Sequence, residues 1–354
     1  METIAQKLLK WFQKNQRSLP WRKTNDPYAI WVSEVMLQQT QVNTVIPYYE
    51  RFLKKFPNIE SLAKSDSNQV LKCWEGLGYY ARALNLQKAS QIVMKQYSGQ
   101  VPSDPSIFRQ LPGVGDYINA AVQSIAFGQR LAVVDGNVRR VLSRLFEMKE
   151  TVNESKHAKH YADKAQMLIS KRFPGNYNQS VMELGALICT PKKPQCARCP
   201  ISNDCQAFIH DTISIFPMRK KSAVIPTENW VAAIIQKDNK YLLTQRKAGG
   251  FLGGLWEFPG GKIKNNETKQ NACLRHIKEQ LQIGIHIKKH VTQIKHAYTH
   301  FKQNMDAFLC QYYSGTIVLN GPSDYKWIDW SEINQFALPK SNLKFLKECE
   351  ISMQ

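Results

Sequence analysis

Cys189-Thr-Pro-Lys-Lys-Pro-Gln-Cys196-Ala-Arg-Cys199-Pro-Ile-Ser-Asn-Asp-Cys205 packs four of the chain's eight cysteines into seventeen residues, with six, two and five residues between successive members. A secreted disulfide scaffold spreads its cysteines more evenly and carries a signal peptide, so this clustering points to a reduced, intracellular chain with a metal site. Four thiolates suit tetrahedral zinc or a cluster of four irons and four sulfides, and the spacing alone leaves both open. The stretch Pro191 to Pro194, with two lysines, is a basic loop inside the site that suits contact with a phosphate.

Outward from this motif the pattern is helical over almost all of residues 1 to 210, as in Ile30, Trp31, Glu34, Val35 and Leu37 and again in Ala120 to Ala126. Pro and Gly at Pro47, Pro57, Gly99 to Pro105, Pro112 to Gly115 and Pro174 to Gly175 are expected to separate the helices. Met1 to Lys14 reads as a folded helix, since Ile4, Leu8, Trp11 and Phe12 share one face and no small-residue cleavage site follows; its positive charge leaves a transit peptide as the alternative. Ser214 to Glu228 has turn and charge composition without periodicity and is read as a linker. Beyond it, Trp230 to Gln236, Lys240 to Thr244 and Tyr325 to Trp330 read as strands and Glu267 to Leu281 as a helix. A chain of 354 residues with 43% hydrophobic and 21% charged residues fits two or three ordinary globular domains. No apolar run approaches the roughly 18 residues of a membrane span, which excludes a membrane protein. The net charge of +20 calls for a polyanionic partner, and residues 1 to 225, with 31 basic against 17 acidic residues, carry most of it.

Two carboxylates stand in apolar company: Glu34 among Trp31, Val32, Val35, Met36 and Leu37, and Asp135 among Leu131, Val133, Val134 and Val138. Such surroundings disfavour the ionised form, so one member can stay protonated as an acid while the other remains an anion, the division of labour that glycosidic cleavage requires. The plainer readings are a polar helix face for Glu34 and a helix cap for Asp135. Leu111-Pro-Gly-Val-Gly115, just before a helix beginning near Tyr117, can turn its backbone N–H groups toward a phosphate or a phosphate-bound cation; an ordinary helix-helix turn is the alternative. Gly76, Gly78 and Ala81 match a dinucleotide fingerprint in spacing, but the helical pattern of Val70 to Glu75 before them removes the strand that fingerprint needs.

Taken together, the cysteine spacing, Leu111 to Gly115, Val134-Asp-Gly-Asn-Val138, Ser33-Glu-Val-Met-Leu-Gln-Gln-Thr40 and Gly76-Leu-Gly-Tyr-Tyr80 closely resemble the adenine DNA glycosylases of the MutY family, over nearly the whole chain. The resemblance implies an all-α helix-hairpin-helix glycosylase with an iron-sulfur module, followed by an α+β Nudix-like domain. It places the helical part at 1–213 (a six-helix barrel at about 23–130, a cluster subdomain at about 1–22 plus 131–213), a linker at 214–228 and the lesion-recognition domain at 229–354. It implies one 4Fe-4S cluster on Cys189, Cys196, Cys199 and Cys205, and a structural cation at Leu111, Gly113, Val114 and Gly115. By the same resemblance Glu34 protonates adenine and then handles the water, Asp135 stabilises the sugar cation, and Tyr117 and Asn137 support the pair. Leu19, Trp21, Arg22 and Gln179 line the adenine pocket, and Gln39 and Tyr79 are wedges entering the duplex. The implied partner is double-stranded DNA with adenine opposite 8-oxoguanine or guanine, met by a monomer in a bacterial cytoplasm, with nuclear and mitochondrial settings left open.

Tyr117 occupies the hairpin position where the related strand-cutting endonuclease III carries a Schiff-base Lys, and Arg139 the place of a Lys found in some adenine glycosylases. Neither phenol nor guanidinium forms an imine, so a monofunctional glycosylase is expected. In the second domain, Trp256 to Gly261 begins a Nudix-like pattern whose Arg275 and Glu279 remain, while His276, Gln280 and Gln282 replace two metal-binding Glu and a glycine. Pyrophosphate hydrolysis through magnesium needs the missing oxygen anions. His296 to Phe301 resembles a Phe-Ser-His lesion-recognition loop, with Tyr298, Thr299 and His300 as the reading residues; a plain hairpin is the alternative. A non-catalytic iron-sulfur DNA-binding protein leaves Glu34 and Asp135 unemployed, and a nucleotide hydrolase accounts only for the last third.

Overall fold

The computed structural model describes residues 2–221 and 224–353. Met1, in the expected first helix, and Ser222 and Ala223, in the expected linker, lie outside them. The chain forms two compact units, Met1–Lys64 with Lys88–Ser222, and Ser65–Gln87 with Ala223–Gln354.

The first unit is helical, with no strand among its described residues. Its helices are α1 (Ile4–Asn15), α2 (Pro27–Leu37), α3 (Val42–Lys55) and α4 (Ile59–Ala63). The chain then enters the second unit with α5 (Ser67–Trp74) and the start of α6 (Ala81–Gln96), and returns through α7 (Pro105–Phe108), α8 (Asp116–Phe127), α9 (Gly136–Leu145), α10 (Ala158–Leu168), α11 (Pro174–Leu187) and α12 (Gln206–Ile209). Local chemistry sets these starts: Thr3 and Gln6 form a capping box on α1, and Asp26 caps α2 ahead of Pro27. Pro47 corrects the expected punctuation, because it lies inside α3. Its missing N–H forfeits one helical bond, but Val45, Tyr49 and Phe52 bury one face and keep the helix continuous.

Helix α2 is apolar all round, and every residue from Tyr28 to Met36 is buried. That rules out the polar-face reading of Glu34. Helix α11 comes close to two partners because it carries glycine at both contacts. A Cβ on Gly175 would fall 2.6 Å from the Ser124 carbonyl oxygen on α8, and one on Gly185 would fall 2.6 Å from Asn137 Cβ on α9.

The second unit is a mixed seven-stranded sheet of β1 (Thr227–Lys237), β2 (Lys240–Gln245), β3 (Trp256–Glu257), β4 (Gly260–Lys262), β5 (Gly284–Ala297), β6 (Lys302–Ser314) and β7 (Asp324–Ile328), with helices α13 (Lys269–Leu281) and α14 (Lys340–Met353). The order is β3-β2-β1-β6-β5, with β4 also on β1 and β7 also on β2. Strands β1 and β6 run parallel, from Thr227 opposite Lys302 to Gln236 opposite Gln311. The run Val231 to Ile235 is buried on both faces: Val231, Ala233 and Ile235 join a core with Ala272, Cys273 and Ile277 of α13, while Ala232 and Ile234 join one with Phe345 and Leu346 of α14. The strand expected at Tyr325 to Trp330 stops at Ile328, since Asp329 and Glu332 form a capping box that starts a 3-10 turn at Trp330. Residues 65–87 are fastened to this sheet. The Asn68 side-chain oxygen accepts from Gln245 Nε2 (3.1 Å) and Trp256 Nε1 (3.0 Å), and Glu75 Oε1 accepts from the Leu338 N–H (2.8 Å).

Candidate active site

Glu34, near the end of α2, is 4% exposed, and its Oε2 accepts a 2.6 Å hydrogen bond from the Tyr117 hydroxyl in the first turn of α8. Burial pushes its carboxyl up to about 7; the Asp135 charge adds to this, while Tyr117 and Arg22 oppose it. Burial also raises the Tyr117 phenol, so it stays a proton-bearing donor. Asp135 is half-buried and is the N-cap of α9, where Oδ1 accepts from the Val138 N–H (2.7 Å) and Oδ2 from Asn137 Nδ2 (3.1 Å). Desolvation raises Asp135 while these donors and Arg140 pull it back. The cap reading of Asp135 holds, and the cap leaves its carboxyl close enough to act on Glu34. A buried carboxyl whose neutral form burial favours, on one helix, and a carboxyl held by the N-terminus of another are thus brought within electrostatic reach.

Around this pair the first unit places buried Leu19 and Trp21, and Arg22, whose Nε donates to Gln179 Oε1 at 3.2 Å. Gln39 belongs to the first unit and Tyr79 to the second, and both take the left-handed backbone that non-glycine residues rarely adopt (φ 56° and 49°). Residues Leu111 to Gly115 form the expected tight turn: the Val114 N–H reaches the Leu111 carbonyl, Gly113 has φ 78°, and Gly115 is the N-cap of α8. Arg109 Nη1 donates to the Val114 carbonyl at 2.7 Å. Arg139 donates to the Val152 carbonyl.

None of the four clustered cysteines is in a disulfide, and Cys189, Cys199 and Cys205 flank the apolar core that holds Leu8, Leu184 and Ile201. Arg140 and Arg144, one turn apart on α9, bind the loop: Arg140 Nε donates to the Cys189 carbonyl (2.7 Å), and Arg144 reaches the Thr190 carbonyl (2.8 Å) and Cys189 Sγ (3.3 Å). Among the described residues no three His, Cys, Asp or Glu side chains gather closely enough for a single metal ion. The thiols nonetheless feel one another, Cys189 acting on each of the other three. An all-sulfur donor set beside a guanidinium fits an anionic iron-sulfur group.

In the second unit, β5 and β6 meet in a turn closed by the Tyr298 N–H on the Phe301 carbonyl. The Tyr298 hydroxyl packs against Ser341 (3.0 Å), the Thr299 hydroxyl shares a hydrogen bond with Tyr79, and His300 is exposed. The segment expected to read the lesion thus forms a hairpin. His276 bonds the Lys262 carbonyl and Gln280 the Gly260 carbonyl, so the residues at the absent carboxylate positions tie α13 to β4. Gln282 takes the left-handed C-cap of α13 (φ 58°) where a glycine was expected.

Residues 32–167 match the family described as HhH-GPD superfamily base excision DNA repair protein, residues 189–205 the iron-sulfur binding domain of endonuclease III, and residues 230–348 the NUDIX domain. The chain is 33% identical to the adenine DNA glycosylase of Rattus norvegicus, an alignment covering 97% of this chain and 77% of that one. The chain belongs to the adenine DNA glycosylase family. It is 31% identical to the adenine DNA glycosylase of Buchnera aphidicola subsp. Schizaphis graminum, over 97% of this chain and 98% of the relative. Among solved structures, a thermostable thymine-DNA glycosylase superposes with a TM-score of 0.54 at 31% identity, over 58% of this chain and 95% of that one. An endonuclease III trapped on DNA gives 0.50 at 23% identity over 58% and 94%, a likeness of fold. This adenine DNA glycosylase acts in base-excision repair, binds DNA, and carries an iron-sulfur motif across residues 189–205.

The residues that the sequence reading missed are Arg17, Arg140, Arg144 and Glu183. Glu183 had a usable signal: it stands among Val181, Met182, Leu184 and Gly185, the same apolar company that singled out Glu34.

Proposed function

We propose that the enzyme hydrolyses the N-glycosidic bond of adenine paired with 8-oxoguanine or guanine, without cutting the strand. The buried hydrogen bond from Tyr117 to Glu34, with Asp135 within electrostatic reach, carries this reading. Adenine flipped from the duplex would take the Glu34 proton on a ring nitrogen, so the electron pair of the breaking glycosidic bond leaves on a neutral base. The sugar left behind is a cation, and the Asp135 carboxylate offsets its charge. Ionised Glu34 then accepts a proton from the water that adds to the sugar. Tyr117 steadies Glu34 and, like Arg139, offers no amine for a Schiff base. Asn137 orients Asp135 through its 3.1 Å bond, and Leu19, Trp21, Arg22 and Gln179 form the base pocket.

Lesion reading is assigned to Tyr298, Thr299 and His300, with Gln39 and Tyr79 as wedges. Support comes from the exposed hairpin tip and from the strained backbone at both wedge positions, which aims a side chain at the cost of local energy. The cysteines would hold a 4Fe-4S cluster, whose contribution is to fasten their loop. Leu111, Gly113, Val114 and Gly115 would hold the structural cation, which would help neutralise a DNA phosphate at the turn. The remaining assignments are the division into 1–213, 214–228 and 229–354, a monomeric state, and the bacterial cytoplasm.

The test is adenine release from a duplex carrying A opposite 8-oxoguanine, with and without alkali. Glu34→Gln and Asp135→Asn are each expected to lose at least a hundredfold in single-turnover rate, on the order of what general acid and charge stabilisation supply; near-normal release would overturn the corresponding role. Strand breaks without alkali would overturn monofunctionality. The cluster assignment predicts about four irons per chain in brown, natively purified protein, and stoichiometric zinc would replace it.

A further inference from the structure

Glu183 lies in the middle of α11, and its side chain is 1% exposed. Five hydrogen bonds converge on it. Oε1 accepts from the Arg17 backbone N–H (2.8 Å), Arg17 Nε (2.9 Å) and Arg22 Nη1 (3.0 Å), and Oε2 accepts from Arg17 Nη2 (2.6 Å) and Arg22 Nη2 (3.1 Å). Two guanidiniums are thus forked onto one carboxylate, a planar geometry that Lys cannot reproduce. The same Arg22 donates to Gln179, one turn before Glu183 on α11, donates to the Arg17 carbonyl, and lies 5.0 Å from the Phe12 ring centre.

The charges facing Glu34 are Asp135 from the cap of α9 and Arg22 from the turn before α2, with the Tyr117 hydroxyl on α8 completing its polar surroundings. Arg22 favours the carboxylate form of Glu34, which is the wrong form for an acid. The trio of Arg17, Arg22 and Glu183 carries one net positive charge; without Glu183 it would carry two.

We propose that Glu183 is a positioning residue for adenine excision: it fixes Arg22 in the base pocket beside Gln179 and supplies the counter-charge to the two guanidiniums forked onto it. Glu183 is itself ionised at neutral pH, since the arginines hold its carboxyl down to about 2. This inference rests on the reading of Glu34 as the acid.

The experiment is the pH profile of single-turnover adenine release by the full-length, iron-sulfur-loaded protein on saturating duplex. In Glu183→Gln the alkaline limb should move to lower pH by about one unit, the low end of what a nearby charge does to a carboxyl. The rate loss should approach tenfold at pH 8 and shrink toward pH 5.5. The double variant Arg22→Gln/Glu183→Gln, which again carries one net positive charge, should return the limb to its wild-type place, with a lower plateau because the Gln179 contact is lost. A uniform rate loss with an unmoved limb would make Glu183 a structural tie between α11 and residues 17–22 and overturn the proposal. Should Glu183→Gln fail to fold, as read by circular dichroism and visible absorbance, Glu183→Asp decides: it keeps the charge but shortens the reach, so the plateau should fall and the limb stay. A shifted limb in Glu183→Asp would overturn the counter-charge. Activity in Glu34→Gln would remove the acid reading itself, whereas an inactive Glu34→Gln beside an unmoved limb in Glu183→Gln removes only this inference.

Discussion

At Glu34 the same burial that makes an acid also costs stability. Its carboxyl is raised from an ordinary value near 4.5 to about 7 in the fold, so between those values the unfolded chain is ionised while the folded one still binds a proton. Folding stability is therefore fully present below about 4.5 and falls as pH rises through about 7. Glu34→Gln removes the ionisable group while keeping the shape. It is expected to be more stable than wild type at pH 8, by on the order of 3 kcal/mol, and to match it near pH 4.5. Thermal unfolding at the two pH values checks this. A constant difference across pH would show that Glu34 does not titrate near neutrality.

At the scale of elements, the active site depends on how closely α11 approaches α9. Gly185 permits that approach: its carbonyl accepts from Arg140 Nη2 (2.7 Å), which also bonds Asn137 Oδ1 (2.8 Å), and no side chain separates the helices. Gly185→Ala would place a Cβ 2.6 Å from Asn137 Cβ and 3.2 Å from its backbone, groups that cannot swing aside. The helices must part. The expected cost is about 1–3 kcal/mol, as for other overpacked contacts, together with a slower single-turnover rate because Asn137 carries Asp135. A stability scan with parallel kinetics measures both, and an unchanged melting temperature would show that α11 can shift freely.

For the whole molecule, the residues assigned to chemistry and those assigned to lesion reading fall in separate compact units. Glu34, Tyr117, Asp135 and Asn137 belong to the first, and Thr299 and Tyr79 to the second. Thr299→Val keeps size but removes the hydroxyl bonded to Tyr79. The ratio of excision efficiencies on duplexes with 8-oxoguanine and with guanine opposite adenine should fall by about fivefold or more, as for loss of one polar contact of about 1–3 kcal/mol. Single-turnover rates at saturation should change less. Both duplexes must be measured at one salt concentration, since phosphate contacts set the non-specific background. An unchanged ratio would take lesion reading away from the hairpin.

What the sequence alone determined were the features written in local chemistry. These are the helical period of residues 1–210, the cap at Asp135, the turn at Leu111 to Gly115, the cysteine spacing, and apolar runs such as Val231 to Ile235. Strand β5 went unread because bulges between Ile287 and Lys289 and between His290 and Thr292 break the two-residue alternation that marks a strand, and β6 because its middle, Met305 to Phe308, is buried continuously instead of alternately. Only the tertiary structure decided that Pro47 sits within α3, that residues 65–87 are bonded to the C-terminal sheet, and that Glu183 joins Arg17 and Arg22. Each depends on partners far apart in the chain, Arg17 and Glu183 being 166 positions apart. A single sequence records the residue types that such contacts need; which of them meet is settled by packing, where burial makes an unpaired charge too costly to leave alone.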